Sequence, residues 1–563
     1  MIRQTLTNWI EQALQRAKAD GALDWHETPL VELEAPRQKE HGDYACNAAM
    51  LVAKQARLAP RDAAELLIGL LPAESSAWID RVEVAGPGFL NFFLKPGWAG
   101  QIVRHALAEG ERFGSSNIGQ GVRTLVEFVS ANPTGPLSVA HGRNAVIGDC
   151  LVRLLNFSGY QADAEFYVND AVNSTQIQNF AASVIVRFKQ LIGQEAQMPE
   201  DAYHGEYVTE VAQAILDQQG SSAIDGDPLL RFQTWSEEAI KRQQEEDLRD
   251  FGVVFKRWFS ERELHDSGAV DKALATLRES GYAYEADGAL WLRSTAFGDE
   301  KDRTLVRSNG LPTYLAGDAA YHLDKYQRGY QRLIDVWGPD HHGYIARMKA
   351  VVGAFGHDPD SLEILVHQIV RLFKDGAQVR MSKRAGDIIT LRETMDEAGV
   401  DATRFFYLLR SHDSPLDFDL DLATRQTDEN PVYYVQYGHA RLCSLLQKAE
   451  EKIGQLPDWR NADLRLLQAE AEGELAKKLA DFPDETRTAA ERLSPHRIAN
   501  YALELSRALH HFYAHCPVLA AESDALRDAR ICLCLAARQT LRNALSLLGV
   551  SAPERMAERE EEQ

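Results

Sequence analysis

Cysteine is scarce in this sequence: six residues (Cys46, Cys150, Cys443, Cys516, Cys532 and Cys534) are scattered through 563. So few thiols at irregular spacing exclude a disulfide framework and suit a reducing cytoplasm. Cys532 and Cys534 sit two apart in a helical pattern and so point to different faces, while His510, His511, His515 and Cys516 match no standard zinc spacing. No zinc or other protein-held metal site is expected. Nor does any apolar run reach the roughly 18 residues that a membrane helix needs. The N-terminus, MIRQTLTNWIEQALQRAKADG, is amphipathic, and its Glu and Gln break any signal-peptide core. Positive charge is in deficit, with 61 Lys and Arg against 83 Asp and Glu for a net charge of −22. That excludes a globally basic nucleic-acid binder but leaves room for a local basic path. No GxGxxG follows the first strand signal of the central region, so the dinucleotide fingerprint is missing, and no internal repeat is visible.

What is present is an ordinary globular balance, 45% apolar and 26% charged, in a chain too long for one core. Three units are expected. Residues 1–118 mix helices and short strands: HGDYACNAAMLVAK starts a helical pattern at His41, Gly42 and Asp43, and VEVAGPGFLNFF forms a hairpin. Residues 119–393 alternate strand and helix signals, which predicts a doubly wound parallel sheet of Rossmann type. A polar, helical insertion occupies about 172–288, and strand signals fall at Gln161–Val168, Ala289–Leu292, Thr304–Val306, Leu333–Trp337 and Ile364–Ile369. From 394 to 563 the pattern is helical almost throughout, an all-α bundle ending in an acidic tail.

Two stretches carry chemistry. In TLVEFVSANPTGPLSVAHGRNAVIGD (124–149), a strand from Leu125 to Val129 feeds a Pro- and Gly-bearing loop and then a helix starting near His141. That geometry aims backbone N–H groups and a positive helix end at an anion, and a phosphate chain is the natural occupant. In LFKDGAQVRMSKRAGDIITL (372–391), Arg380, Lys383 and Arg384 crowd a Gly-flanked loop. Cations so close repel unless an anion arrives, although a solvated basic loop would read the same way.

Together and in this order, the two stretches resemble the paired signatures of the class I aminoacyl-tRNA synthetases. The further motifs SANPTGPL, FYVNDA, LPTYLAGDAAYH, VWGPDHHGYI and RMSKRAGDIITL are similar to the bacterial arginyl-tRNA synthetase family over nearly the whole chain. The resemblance implies ligation of L-arginine to its tRNA with ATP and Mg²⁺. It implies a cytoplasmic protein, expected to be monomeric, with no membrane partner. His141, Lys383, Arg380 and Ser138 would be catalytic. Pro133, Gly135, His141, Gly142, Gly338, Asp340, His341, Met381, Ser382 and Lys383 would bind ATP. Asn132, Tyr314, Asp318, Glu261 and His341 would bind arginine. Residues 1–118 would touch the tRNA, and the helical domain would hold its anticodon through Tyr437, His439, Arg441 and Tyr513, with Tyr501 and Arg507 nearby; each of these could equally be bundle core.

The sequence departs from the family pattern at both signatures. Ser138 and Ala140 replace the first His and the Gly of the first one, leaving His141; Arg380 and Arg384 replace its counterpart's first Lys and last Ser. A serine hydroxyl still donates to phosphate but cannot become cationic, and Arg143 is a candidate to compensate. The alternative reading is therefore a catalytically weakened paralogue that binds tRNA or a nucleotide without charging.

Overall fold

The computed structural model describes residues 2–34, 36, 38–95, 97–170, 174–379 and 389–556. At the N-terminus, helix Ile2–Ala19 buries Leu6, Trp9, Ile10, Ala13 and Leu14, the stripe its periodicity dictates. It belongs to a unit with a four-stranded antiparallel sheet in the order Leu33–Glu34, Tyr44–Cys46, Phe89–Leu94, Ile79–Ala85. The expected hairpin is the last pair. The expected helix start at His41–Asp43 is not there. Asp43 instead donates its N–H to Phe92 O at 2.8 Å and accepts from Leu94 N–H at 2.9 Å, so it extends the sheet. The helix begins only at Ala48.

The central unit is a five-stranded sheet, all parallel. We label its strands β1 (Arg123–Glu127), β2 (Gln161–Val168), β3 (Arg257–Ser260), β4 (Arg332–Trp337) and β5 (Leu362–Val366). Their order is β3-β2-β1-β4-β5, the doubly wound order that opens a crevice where the winding reverses, between β1 and β4. Flanking helices are α1 (Val139–Phe157), α2 (Tyr314–Gln327) and α3 (Ile345–Ala354). β1 and β4 read as apolar runs because helices cover both faces.

The excursion expected at 172–288 is interrupted. Helices Thr175–Leu191, Glu206–Gln219 and Leu229–Asp250 enclose their own small core around Phe180, Phe188 and Phe232. The chain then returns to the sheet as β3, four residues too short to show a period. A second excursion, between β3 and β4, carries the antiparallel strands Ala283–Ala286, Ala289–Leu292 and Arg303–Val306.

Among the described residues beyond 394, a single strand interrupts the helices and their loops: Leu416–Asp419, parallel to Val370–Lys374. The bundle comprises α4 (Pro431–Ile453), α5 (Glu470–Glu491), α6 (His496–His515) and α7 (Asp524–Leu548). Its seam with the central unit is fixed by Arg404, which is fully buried. The guanidinium donates to Leu548 O at the end of α7 (3.1 Å), to Phe251 O (2.9 Å) and to Asp149 Oδ2 on α1. Gly549 turns the chain there with φ +63°, and any side chain on it would collide with that guanidinium.

Without Arg404, Asp149 keeps its pair with Arg153 Nε at 2.8 Å, but Leu548 O and Phe251 O each lose a buried donor, at about 1–3 kcal/mol apiece. Arg404→Met should therefore lower the urea midpoint of the central and helical units together, followed by circular dichroism. A mutant midpoint equal to wild type would show that the seam does not depend on this residue.

Candidate active site

The crevice is built from the end of β1 outward. Val129 and Ser130 both adopt left-handed backbone (φ 68° and 44°), a conformation that non-glycine residues hold only when their surroundings fix it. Here Asn144, one turn inside α1, fixes it: its Oδ1 accepts the Val129 N–H at 2.7 Å, and its Nδ2 donates to Val336 O on β4 at 2.9 Å. One amide thus ties together the two strands that flank the opening. Ser130 Oγ donates to Glu127 Oε1 (2.9 Å) and accepts from Tyr167 N–H (3.2 Å), while Asn169 Nδ2 reaches Ser130 O at 3.2 Å.

At the start of α1, Ser138 N–H donates to His141 Nδ1 at 3.1 Å. The imidazole takes the place a glutamate side chain holds in a capping box. An N–H can only donate, so the neutral ring carries its proton on Nε2. His141 lines the cleft, whereas Ser138, expected beside it, is not among the lining residues and lies with its N–H and Oγ against His141 Nδ1.

The cleft has a volume of about 630 Å³. Of the residues expected to act, Asn132, His141, Tyr314, Asp318, Gly338, Asp340 and His341 line it. Tyr314 and Asp318 share one face of α2, as their spacing requires. Three expectations are corrected. Gly142 donates its N–H to Ser138 O inside the helix, and a side chain there would strike Leu391 and Tyr407, so it serves packing away from the cleft. Pro133 is buried and Gly135 lies beneath Tyr207 of the insertion. Arg143 is fully buried and donates to Gln368 O (2.9 Å) and Ser411 O (2.8 Å), so it holds the chain beyond β5 and cannot replace the missing histidine. The assignments to Arg380, Met381, Ser382, Lys383 and Arg384 lie outside the described residues.

Charge in the crevice falls into two sets. Beneath the floor, Lys325 is fully buried and bridges Glu127 (2.7 Å) and Asp335 (2.8 Å), with His322 Nε2 2.9 Å from the other Asp335 oxygen. Burial alone would raise Asp335, but Lys325 and His322 hold it at about 2. One ammonium thus serves both carboxylates, and burial still raises Glu127. The second set is Asp318, which lines the cleft, and its neighbour Glu261, which does not; among the described residues no Lys or Arg pairs with either. Tyr344 donates to Asp318 Oδ2 at 2.7 Å, yet burial still raises that carboxyl. Burial, then Asp318 and Asp170, push Glu261 up to about 7. Two desolvated carboxylates without a counter-ion make a receptor for a cation with several donors. Tyr344, Asn144 and Lys325 carry no sequence signal for these roles, since each is named by its tertiary neighbours alone.

In the helical bundle, Arg441 lies 3.6 Å over the ring of Tyr513, and Tyr437 stacks on His510 at 6.1 Å. These rings sit at the surface of α4 and α6. His439 does not join them. It is buried, with Nδ1 2.9 Å from Pro553 O, and Tyr501 is likewise core.

Known proteins resemble the chain along its full length. Residues 4–94 match the family model described as arginyl tRNA synthetase N terminal domain, 102–407 the model for tRNA synthetases class I (R), catalytic domain, and 435–556 that for the DALR anticodon binding domain. The arginine–tRNA ligase of Desulforamulus reducens is 46% identical over 99% of both chains, and that of Moorella thermoacetica 47% identical over 98% of this chain and 99% of its own. Thermus thermophilus arginyl-tRNA synthetase shares the fold, with a TM-score of 0.77 at 24% identity over 99% of this chain and all of that one.

Below about pH 7 Glu261 carries a proton that an arriving cation must displace, so affinity for a guanidinium ligand should rise with pH through neutrality. Calorimetry in two buffers of different ionisation enthalpy should detect proton release near pH 7, and Glu261→Gln should abolish it. Release undiminished in the variant would place the titrating group elsewhere.

Proposed function

The chain belongs to the arginyl-tRNA synthetase family, and from that membership we propose that it ligates L-arginine to its cognate tRNA with ATP, through arginyl-adenylate, releasing pyrophosphate and then AMP. The observation that carries the choice of amino acid is the Glu261–Asp318 pair, two neighbouring carboxylates without a Lys or Arg partner among the described residues, of which Asp318 lines the crevice. A guanidinium offers five donors in a fixed fork and stays charged, so it satisfies both. An amino acid without it would leave buried carboxylates unpaired, a penalty large enough to make separate editing unnecessary.

Asn132, which also lines the crevice, takes the α-amino group, and Tyr314 closes over the side chain. Attack of the arginine carboxylate on the α-phosphorus depends on positioning and on stabilising the charge that develops. His141 presents Nε2–H from the positive end of α1 to that phosphate. Lys383 and Arg380, by family resemblance, face the leaving pyrophosphate, with Met381 and Ser382 shaping their loop. The nucleoside rests against Gly338, Asp340 and His341. Mg²⁺ arrives with ATP and is held largely by phosphates, as suits an ion that keeps its waters.

The family resemblance supports units at 1–118, 119–393 and 394–563. The first contacts the tRNA. The last presents Tyr437, Arg441 and Tyr513 to splayed anticodon bases, a stacking surface that tolerates the overall negative charge because it is local. A cytoplasmic monomer follows the same reading. Nothing favours the paralogue that binds without charging.

Arginine-dependent ATP–pyrophosphate exchange, with and without tRNA, tests the reading; exchange that ignores arginine would refute it. Asp318→Asn keeps the shape and removes the charge. Loss of one partner of a buried pair is worth about 3–5 kcal/mol, so the arginine KM should rise by about 10²–10⁴-fold with the ATP KM unchanged.

A further inference from the structure

The loop that carries Asn132 is gripped from outside by all three helices of the insertion. Gln244, on Leu229–Asp250, is 1% exposed and donates both protons of its amide: Nε2 lies 3.1 Å from Asn132 O and 2.9 Å from Gly135 O. Tyr207, on Glu206–Gln219, donates its hydroxyl to Thr134 O at 3.1 Å, and its ring covers Gly135 so closely that a Cβ there would lie 3.3 Å from the hydroxyl oxygen. Gln176, on Thr175–Leu191, accepts the Asn132 Nδ2–H at 2.7 Å. That last bond decides which end of the Asn132 amide remains an acceptor, and an acceptor is what an ammonium group needs.

We propose that Gln244 is a positioning residue for amino-acid binding, holding the Asn132 loop from the insertion in the form that receives the α-ammonium of arginine. The inference rests on the arginine reading above. The loop enters through the left-handed Val129–Ser130 turn and leaves through Pro136, so neither end supplies a regular ladder to hold its carbonyls. Gln244 supplies it. Its two amide protons face two carbonyls at the right distances, an arrangement that no acidic or apolar residue of similar size reproduces. Because the bonds cross from the insertion to the substrate loop, a displacement of the insertion is transmitted directly to Asn132. The insertion is then part of the amino-acid site although none of Gln176, Tyr207 and Gln244 lines the cleft.

Gln244→Glu tests this, since it keeps the side-chain shape and removes both donors. The full-length protein would be assayed with tRNA by ATP–pyrophosphate exchange, alongside its thermal midpoint and hydrogen exchange of the loop amides. The arginine KM should rise about tenfold, the scale of a buried hydrogen bond left unmade. The ATP KM should stay near wild type and amide exchange should quicken most in the loop, while the thermal midpoint should fall, because the new carboxyl faces two carbonyl oxygens in a buried place. Ser236→Ala removes a buried hydroxyl on the same helix that has no hydrogen-bond partner among the described residues, and it should change none of these readouts. An unchanged arginine KM in Gln244→Glu, or a fall in kcat alone that Ser236→Ala shares, would overturn the proposal. Should Gln244→Glu not fold, Tyr207→Phe removes a single loop bond and should raise the arginine KM about threefold; no change there would overturn it equally. Wild-type protein that ignores arginine would refute the arginine reading, and loop exchange unaltered in Gln244→Glu would still refute the clamp.

Discussion

Everything in this crevice depends on keeping β1 and β4 joined below while they diverge above. Parallel neighbours exchange regular backbone bonds along Arg123–Glu127 and Arg332–Trp337, and those bonds end where the strands end. Two side-chain contacts take over at that point. Asn144 ties Val129 N–H to Val336 O, and Lys325 ties Glu127 to Asp335. Both are buried polar contacts whose partners are satisfied, so they specify one arrangement where apolar packing would tolerate several. The strained turn at Val129–Ser130 is the local consequence, and it is what lifts the Asn132 loop over the opening.

A contrast in charge gives the site its selectivity. Of the buried carboxylates about the crevice, Glu127 and Asp335 share the ammonium of Lys325. Glu261 and Asp318 remain, desolvated and mutually repelling, so the empty site is electrostatically incomplete. Binding a multidentate cation there removes a penalty already present in the folded protein. Recognition and relief of repulsion are one event.

The helical units are joined to this chemistry through a few directional contacts. Arg404 connects α1, the end of the insertion and the end of α7, while Arg143 connects α1 to the chain beyond β5. Both guanidiniums donate to carbonyls from distant segments, and Arg404 also to the Asp149 carboxylate. The helix that presents His141 is therefore held from the side opposite the cleft by the rest of the molecule.

The strands from Gln161 and near Leu333, the helix beginning one residue after Ser138, and the shared face of Tyr314 and Asp318 were legible because period and spacing along the chain encode them. The motifs also placed Asn132, His141 and His341 at one cleft. What misled sequence reasoning was burial: Arg143, Gly142 and His439 have the chemistry of ligand contacts but pack inward, and residue type does not reveal which way a side chain faces. β3, at four residues, was too short for a pattern and emerged only through its pairing with β2. Local order and the identity of the reacting groups were thus determined by the sequence itself. Tertiary structure alone decided which carboxylates keep their charge uncompensated and which carbonyls Gln244 holds, because burial and pairing between residues far apart in the chain exist only once it has folded.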